Sequence, residues 1–279
     1  MSHFEARKTR YKLIVEYDGT PFCGWQRQQG QPSVQETLEE AIFRFSQERP
    51  VITASGRTDS GVHAMGQVVT FDLNRAFPAH KVRDGLNFHL RPSADQLRKG
   101  ALQSVCVREA LEVHPEFNAR FSAIQRSYLY RIVNRRAHLV LDFNRAWFVP
   151  QPLDADAMHD AAQILVGQHD FSSFRAAECQ AQSPVKSIDE IAIRRVGEEV
   201  QMTISARSFL HHQVRNIIGS LKNVGVGKWT RDDLRTVLEA RDRNRAGMMA
   251  PAAGLYFVSV DYEKGAEQGL NPDPAPEEE

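Results

Sequence analysis

The sequence predicts an α+β fold of two similar lobes, each a mainly antiparallel sheet flanked by helices. Three observations predict it. Strand-like runs interrupted by single helices occur twice along the chain. Two of those runs meet across Gly197 and Glu198, as an antiparallel hairpin requires. The composition, 42% hydrophobic and 25% charged over 279 residues, suits a globular protein with one extended core or two joined lobes and excludes a disordered or fibrous chain.

The first lobe is assigned to residues 1–112. Tyr11 to Tyr17 is rich in β-formers and ends at the turn signal Asp18, Gly19. A polar loop with Gly24, Trp25, Gln26, Arg27 and Gln28 follows. Ser33 then caps a helix, Glu36 supplies the other half of a capping box, and Val34, Leu38, Ala41, Ile42 and Phe45 share one face. Gln67 to Leu73 alternates as a half-buried strand, with Val69, Phe71 and Leu73 on one side and Val68, Thr70 and Asp72 on the other. A helix from Lys81 to His89 and a strand from Leu102 to Arg108 complete the block.

The second lobe is assigned to residues 113–263. After a loop from His114 to Phe121, a strand carries Tyr128, Tyr130 and Ile132 on one side. Asp154 caps a helix through Ala161, Ala162 and Leu165 that Gly167 ends. The hairpin Ile188–Val196 with Val200–Ile204 follows, then a helix from His212 to Val224, a helix opened by Thr230 and Asp233, and a last strand from Leu255 to Tyr262. Each lobe thus has the ferredoxin-like alternation of strands and single helices, and an active-site cleft is expected between the lobes. The acidic tail, 264–279, has three Pro and little apolar content and is expected to be disordered and dispensable.

Formal charge is zero, but residues 263–279 hold six acids against Lys264, leaving a body of 34 basic and 29 acidic residues, or +5. Of the 35 basic residues 27 are Arg and 8 Lys, a bias that suits phosphate forks and base stacking. The three cysteines, Cys23, Cys106 and Cys179, are far apart, so neither a disulfide framework nor a zinc site is suggested. Met1 to Lys12 is polar and basic, and no stretch approaches the roughly 20 apolar residues of a membrane span, so a cytoplasmic protein is expected.

The chemistry concentrates in Ala54 to Gly66, where Gly and Ala positions surround Arg57, Asp59 and His63. A Gly-bounded loop can hold a side chain out of the core at a fixed angle, although an isolated loop Asp more often bonds its own backbone. The run Gly56, Arg57, Thr58, Asp59, Ser60, Gly61, Val62, His63, Ala64, followed by Gly66, Gln67, Val68, Val69 and Phe71, is similar to the signature of the bacterial tRNA pseudouridine synthase A family. The resemblance extends through Tyr17 to Gly19, Gly24 to Gln28, Ser33 to Gln35, Phe117 to Phe121, Arg126 to Tyr130, Asp170 to Arg175, Phe209 to Gly219 and Gly254 to Tyr256, and so covers residues 11 to 262.

That resemblance implies a homodimeric enzyme that isomerises uridine at positions 38, 39 and 40 of the tRNA anticodon stem-loop. It makes Asp59 the catalytic nucleophile, Arg57 the side chain that helps displace the target base, Tyr128 the ring that stacks on uracil, and Arg215 the partner of the Asp carboxylate. The reaction breaks the bond from uracil N1 to ribose C1′ and rejoins the base through C5, so product and substrate contain the same atoms and no cofactor is expected. A carboxylate can act covalently in such a step, through C1′ or through C6 of the base, or can assist a glycal route. A guanidinium beside it favours its ionised form. Flipping uracil from a stem costs a few kcal/mol, and an aromatic face recovers roughly 1–3 kcal/mol. On pattern alone Tyr128 and Tyr130 are both strand core residues.

Arg120, Arg126, Arg135, Arg136 and Arg175 are expected near the second-lobe loops, with Arg120, Arg136 and Arg175 as tRNA contacts beside the segment 178–182. Any of them also reads as part of a solvated basic face. His63, His211 and His212 lack the Cys or paired carboxylates of a metal motif, so no metal is expected. Asp59, Ser60 and His63 lie in one short loop without a nucleophile elbow, which argues against a hydrolase. A non-catalytic tRNA-binding or folding module would be free to lose Asp59 or Tyr128, and both are present. An N-glycosidase would need a positioned water and usually a second carboxylate near the sugar. Ser60 stands where the family more often has Ala, Leu210 where Val is common, and Phe77 where a basic tRNA contact is expected.

Overall fold

The computed structural model describes residues 8–269, and they fall into two compact units. Unit 1 runs to Ile124 and takes up the chain again from Val258; unit 2 is Gln125–Phe257. The expected division between 112 and 113 therefore lies inside unit 1. The reason is the loop after Val113, whose Phe117 and Ala119 are fully buried, with the Phe117 carbonyl accepting from Arg10 Nη1 at 3.1 Å and the Ala119 carbonyl from the Tyr262 hydroxyl at 2.8 Å.

Unit 1 contains β1 (Thr9–Tyr17), α1 (Val34–Ser46), β2 (Thr53–Ala54), β3 (His63–Leu73), α2 (Ala79–Leu90), α3 (Ala94–Arg98) and β4 (Val105–Val113). β1 lies between β3 and β4, antiparallel to both, and β2 pairs with β3. The amphipathic face read for α1 is the buried one, and its Phe45 packs on Phe77 with ring centroids 4.8 Å apart. Ser33 Oγ accepts from Glu36 N–H at 3.2 Å, but the Glu36 carboxylate pairs with Arg27 at 3.2 Å, so only half of the expected capping box forms. β3 is buried on both sides, not half-buried as expected: the 114–122 loop covers its second face, Ala119 N–H donating to Thr70 Oγ1 at 3.4 Å.

The start of the tail is ordered as well. Ala266 is buried with Val113 and Phe117, the Glu267 carbonyl accepts from His114 N–H at 2.9 Å, and Lys12 Nζ lies 2.5 Å from Glu267 Oε1. The expected disorder is thus wrong for 265–269, where burial of one alanine and one ion pair anchors the chain; the rest of the tail, 270–279, lies outside the described residues.

Unit 2 takes in most of β5 (Ala123–Val133), then β6 (Trp147–Phe148), α4 (Ala155–Ala162), β7 (Gly167–Asp170), β8 (Val185–Val196), β9 (Glu199–Ala206), α5 (Gln213–Gly225), α6 (Arg231–Ala240) and the first residues of β10 (Leu255–Tyr262). The ladders β5/β9, β9/β8 and β8/β7 are antiparallel, and the short β6 is parallel to β5. Val196 faces Glu199 across Gly197, which takes the left-handed φ of 59° that such a tight turn needs. α4 stops at Ala162 and a single 3₁₀ turn follows, so Gly167 opens β7 instead of ending the helix. Thr230 and Asp233 form the full capping box of α6. In each unit a mostly antiparallel sheet is flanked by helices, the class the alternation predicts.

Candidate active site

In unit 1, Asp59 lies in the connection between β2 and β3, where the sequence places it. The connection is braced along its length. Ser55 N–H donates to the Val68 carbonyl at 2.9 Å, the Thr58 carbonyl accepts from Trp25 N–H at 3.0 Å, and Asp59 forms an isolated antiparallel bridge with Gly24. Gly24 has φ +118°, and a Cβ there would stand 2.7 Å from the Thr58 carbonyl, so the two segments approach too closely for any other residue. Val62 N–H closes the turn on the Asp59 carbonyl at 3.1 Å, with Gly61 at φ 76°.

The side chains around the loop are consistent with that rigidity. The Tyr17 and Thr58 hydroxyls share a hydrogen bond of 2.7 Å, and burial pushes the Tyr17 phenol up to about 12, so it stays neutral. His63 is buried, its Nδ1 accepting from Gly19 N–H at 3.1 Å with Asp18 Oδ1 3.2 Å away. Ser60 Oγ donates to the Phe22 carbonyl at 3.2 Å, a bond that the more usual Ala could not make. Arg57 is exposed and Asp59 half-buried, so the loop presents a cation and a carboxylate two residues apart.

In unit 2, Tyr128 is half-buried on β5 and meets two rings edge-on, Phe209 at 5.2 Å and Phe257 at 5.0 Å. Tyr130 on the same strand is fully buried, its hydroxyl donates to the Pro251 carbonyl at 2.7 Å, and burial raises its pKa. The two tyrosines that pattern alone left equivalent are therefore distinct, one in the core and one with an accessible part.

Arg215 sits on α5, a helix buried on nearly every side. Its Nε donates to the Ala250 carbonyl at 2.8 Å, and Ala250 N–H donates to the Arg215 carbonyl at 3.2 Å. Next to it Asn216 donates from Nδ2 to the Phe174 carbonyl at 2.8 Å and accepts from Arg243 Nη2 at 2.9 Å. Desolvation lowers the Arg243 pKa, yet the side chain also donates to the Gly247 carbonyl at 3.0 Å. Sequence reasoning missed this brace, because an Arg and an Asn 27 residues apart carry no local signal of pairing.

The expected tRNA contacts do not gather in one unit. Arg120 is exposed in unit 1, its guanidinium 5.5 Å from the Phe121 ring centre, while Arg126, Arg135, Arg136 and Arg175 belong to unit 2. The expectation that all five cluster in the second lobe is corrected by the buried anchor at Phe117 and Ala119, which keeps Arg120 with unit 1. Arg135 pairs with Glu198 at 2.7 Å, Arg136 is exposed, and Arg175 Nη2 donates to the Cys179 carbonyl at 3.0 Å, tying down the 178–182 segment. Phe77, where a basic contact was expected, packs on Phe45 under Arg75, whose guanidinium is 5.0 Å from its ring. Among the described residues no helix is long and apolar enough to cross a membrane.

Comparison with known proteins places the chain beside named relatives. Residues 13–118 and 161–263 match the family model described as tRNA pseudouridine synthase. The chain is 56% identical over 253 residues to the tRNA pseudouridine synthase A of Rhodospirillum centenum, covering 91% of this chain and 99% of the relative. It is 53% identical to the protein of that name from Sinorhizobium fredii, with the same coverage, and 54% identical to that from Maricaulis maris, with 91% and 98% covered.

Proposed function

The chain belongs to the tRNA pseudouridine synthase family, isomerases of uridine in tRNA, and from that premise we propose that Asp59 is the nucleophile of a cytoplasmic homodimer acting at positions 38, 39 and 40 of the anticodon stem-loop. The observation that carries the reading is the Asp59 loop: a half-buried carboxylate on a backbone bonded to Gly24, Trp25 and Val68, with an exposed guanidinium two residues before it.

The chemistry needs few parts. The carboxylate of Asp59 adds to C1′ or to C6 of the base, or assists a glycal route; the glycosidic bond from N1 to C1′ breaks, the base turns, C5 bonds to C1′, and any bond to Asp59 breaks again to free the carboxylate. The proton that C5 gives up balances the one gained at N1, so the product is an isomer. Arg57, on the exposed side of the loop, helps displace the target base from its stack. Tyr128, with its ring held edge-on by Phe209 and Phe257, offers a face to the flipped uracil, worth roughly 1–3 kcal/mol. Arg215 is the partner of the Asp59 carboxylate. Arg120, Arg136 and Arg175 contact tRNA phosphates.

An undermodified tRNA is incubated with the wild-type protein and with Asp59→Ala, without added cofactor, then digested for nucleoside analysis. Pseudouridine in the wild-type digest alone is the expected result. Equal product from Asp59→Ala would overturn the assignment of the nucleophile, and free uracil in place of pseudouridine would overturn the reaction.

A further inference from the structure

Behind the Asp59 loop lies a group of polar side chains withdrawn from solvent. Gln67 is 0% exposed, Ser55 2%, Tyr17 3% and Thr58 7%. Burying an amide is unfavourable unless its donors and acceptor are matched. Both ends of Gln67 are matched: Nε2 donates to the Gly56 carbonyl at 2.8 Å, and Oε1 accepts from Ser55 Oγ at 2.7 Å. The Tyr17 hydroxyl meets Thr58 Oγ1 at 2.7 Å. Three of the four residues 55–58 are thus gripped by side chains of β1 and β3, and Arg57 alone of the four is exposed.

We propose that Gln67 and Tyr17 are positioning residues for the isomerisation: from two strands they clamp the chain on either side of Arg57, so that Arg57 and Asp59 leave the loop in fixed directions. The proposal rests on the reading of Asp59 as the nucleophile. Its physical basis is that Gly56 and Gly61 give the segment little conformational preference of its own, so the direction of its side chains has to be imposed from outside. Gln67 sits five residues into β3, paired with Val15 in the β1/β3 ladder, and Tyr17 stands where that register slips between Val15 and Tyr17. The Tyr17 hydroxyl reaches Thr58 Oγ1, and Trp25 tilts against the ring with centroids 6.0 Å apart. An apolar side chain at 67 could fill the same space but could not hold Gly56 and Ser55 together.

The test is single-turnover pseudouridine formation with enzyme in excess over tRNA, which reads the rate on the enzyme and not the fraction folded, beside tRNA binding. Gln67→Met keeps the volume and removes the side-chain hydrogen bonds of Gln67; Tyr17→Phe removes one oxygen. Displacing reacting groups by about 1 Å can cost about 100-fold. The expected result is a rate lowered about 10- to 100-fold in Gln67→Met and several-fold in Tyr17→Phe, with the tRNA Kd within about twofold of wild type. Wild-type single-turnover rates in both variants would overturn the proposal, and if Gln67→Met does not fold, the rate of Tyr17→Phe decides alone. Asp59→Ala run in parallel separates the two claims: loss of product there, with unaffected Gln67→Met and Tyr17→Phe, removes the clamp and leaves the nucleophile, whereas an active Asp59→Ala removes the reading beneath both.

Discussion

Arg215 and Ala250 are joined twice, by the guanidinium Nε donating to the Ala250 carbonyl at 2.8 Å and by Ala250 N–H donating to the Arg215 carbonyl at 3.2 Å. The first bond uses one edge of the guanidinium and fixes the plane of the rest. Lysine would keep the charge without the fork. Arg215→Lys is therefore expected to lower pseudouridine formation about 10- to 100-fold, the equivalent of one charge-assisted hydrogen bond of roughly 1.5–3 kcal/mol. Single-turnover assay checks it, and a wild-type rate would remove Arg215 from the reaction.

The same contact makes Gly219 sensitive. A Cβ on Gly219 would stand 1.8 Å from the Met248 carbonyl, so the 248–250 segment could not lie against α5. Gly219→Ala should cost about 3 kcal/mol or more, read as a lower urea midpoint at unchanged slope. A midpoint within error of wild type would show that the segment can move aside freely.

How much of this was legible follows from how local each signal is. The α1 face, the last strand and the Arg57–Asp59 loop depend on residues close in sequence, and they stand where periodicity and turn chemistry put them. Gln67 and Lys12 are polar strand residues, yet both are buried. Their partners come from elsewhere in the chain: Ser55 and Gly56 for one, Glu267 for the other. The cover on β3 comes from a loop whose anchoring residues, Phe117 and Ala119, lie some fifty positions later, and no period within the strand announces it. Arg120 was misplaced for the same reason.

Tyr128 supplies a test of the stacking role. Tyr128→Leu should lose about 1–3 kcal/mol of base stacking, a drop of roughly 5- to 150-fold in kcat/KM. Tyr128→Phe keeps the aromatic face and its edge contacts with Phe209 and Phe257, so its tRNA Kd should stay near that of wild type. Equal losses in the two variants would sink the stacking role.

Lys12 and Glu267 pin the start of the C-terminal tail. The Lys12 side chain is 9% exposed and its ammonium also lies 5.1 Å from the Tyr262 ring centre, so it has little water to fall back on. Glu267→Ala should destabilise the protein by about 1–2 kcal/mol, discounted because Glu267 is 32% exposed. Lys12→Met removes the buried charge itself and should be close to neutral. Thermal unfolding of the two variants measures the difference, and equal destabilisation would show that the ion pair, not the stranded charge, matters.

Arg131 and Glu199 make the acid limb of stability predictable. Across the β5/β9 ladder Arg131 faces Gln201 and Val133 faces Glu199, so the pair is diagonal on one face. The guanidinium closes a fork on the carboxylate at 2.5 and 3.1 Å and holds Glu199 below its ordinary value of 4.5. A depressed carboxylate adds stability that is complete above its unfolded pKa and is lost as pH falls through the folded one. The stability gap between wild type and Glu199→Gln should therefore be constant from neutral pH down to about 5 and close as the pH drops further below 4.5. Urea unfolding across that range reads the gap. If it stays as wide at pH 3 as at pH 6, the pair contributes through packing of the Arg131 stem against the strand and not through the charge on Glu199.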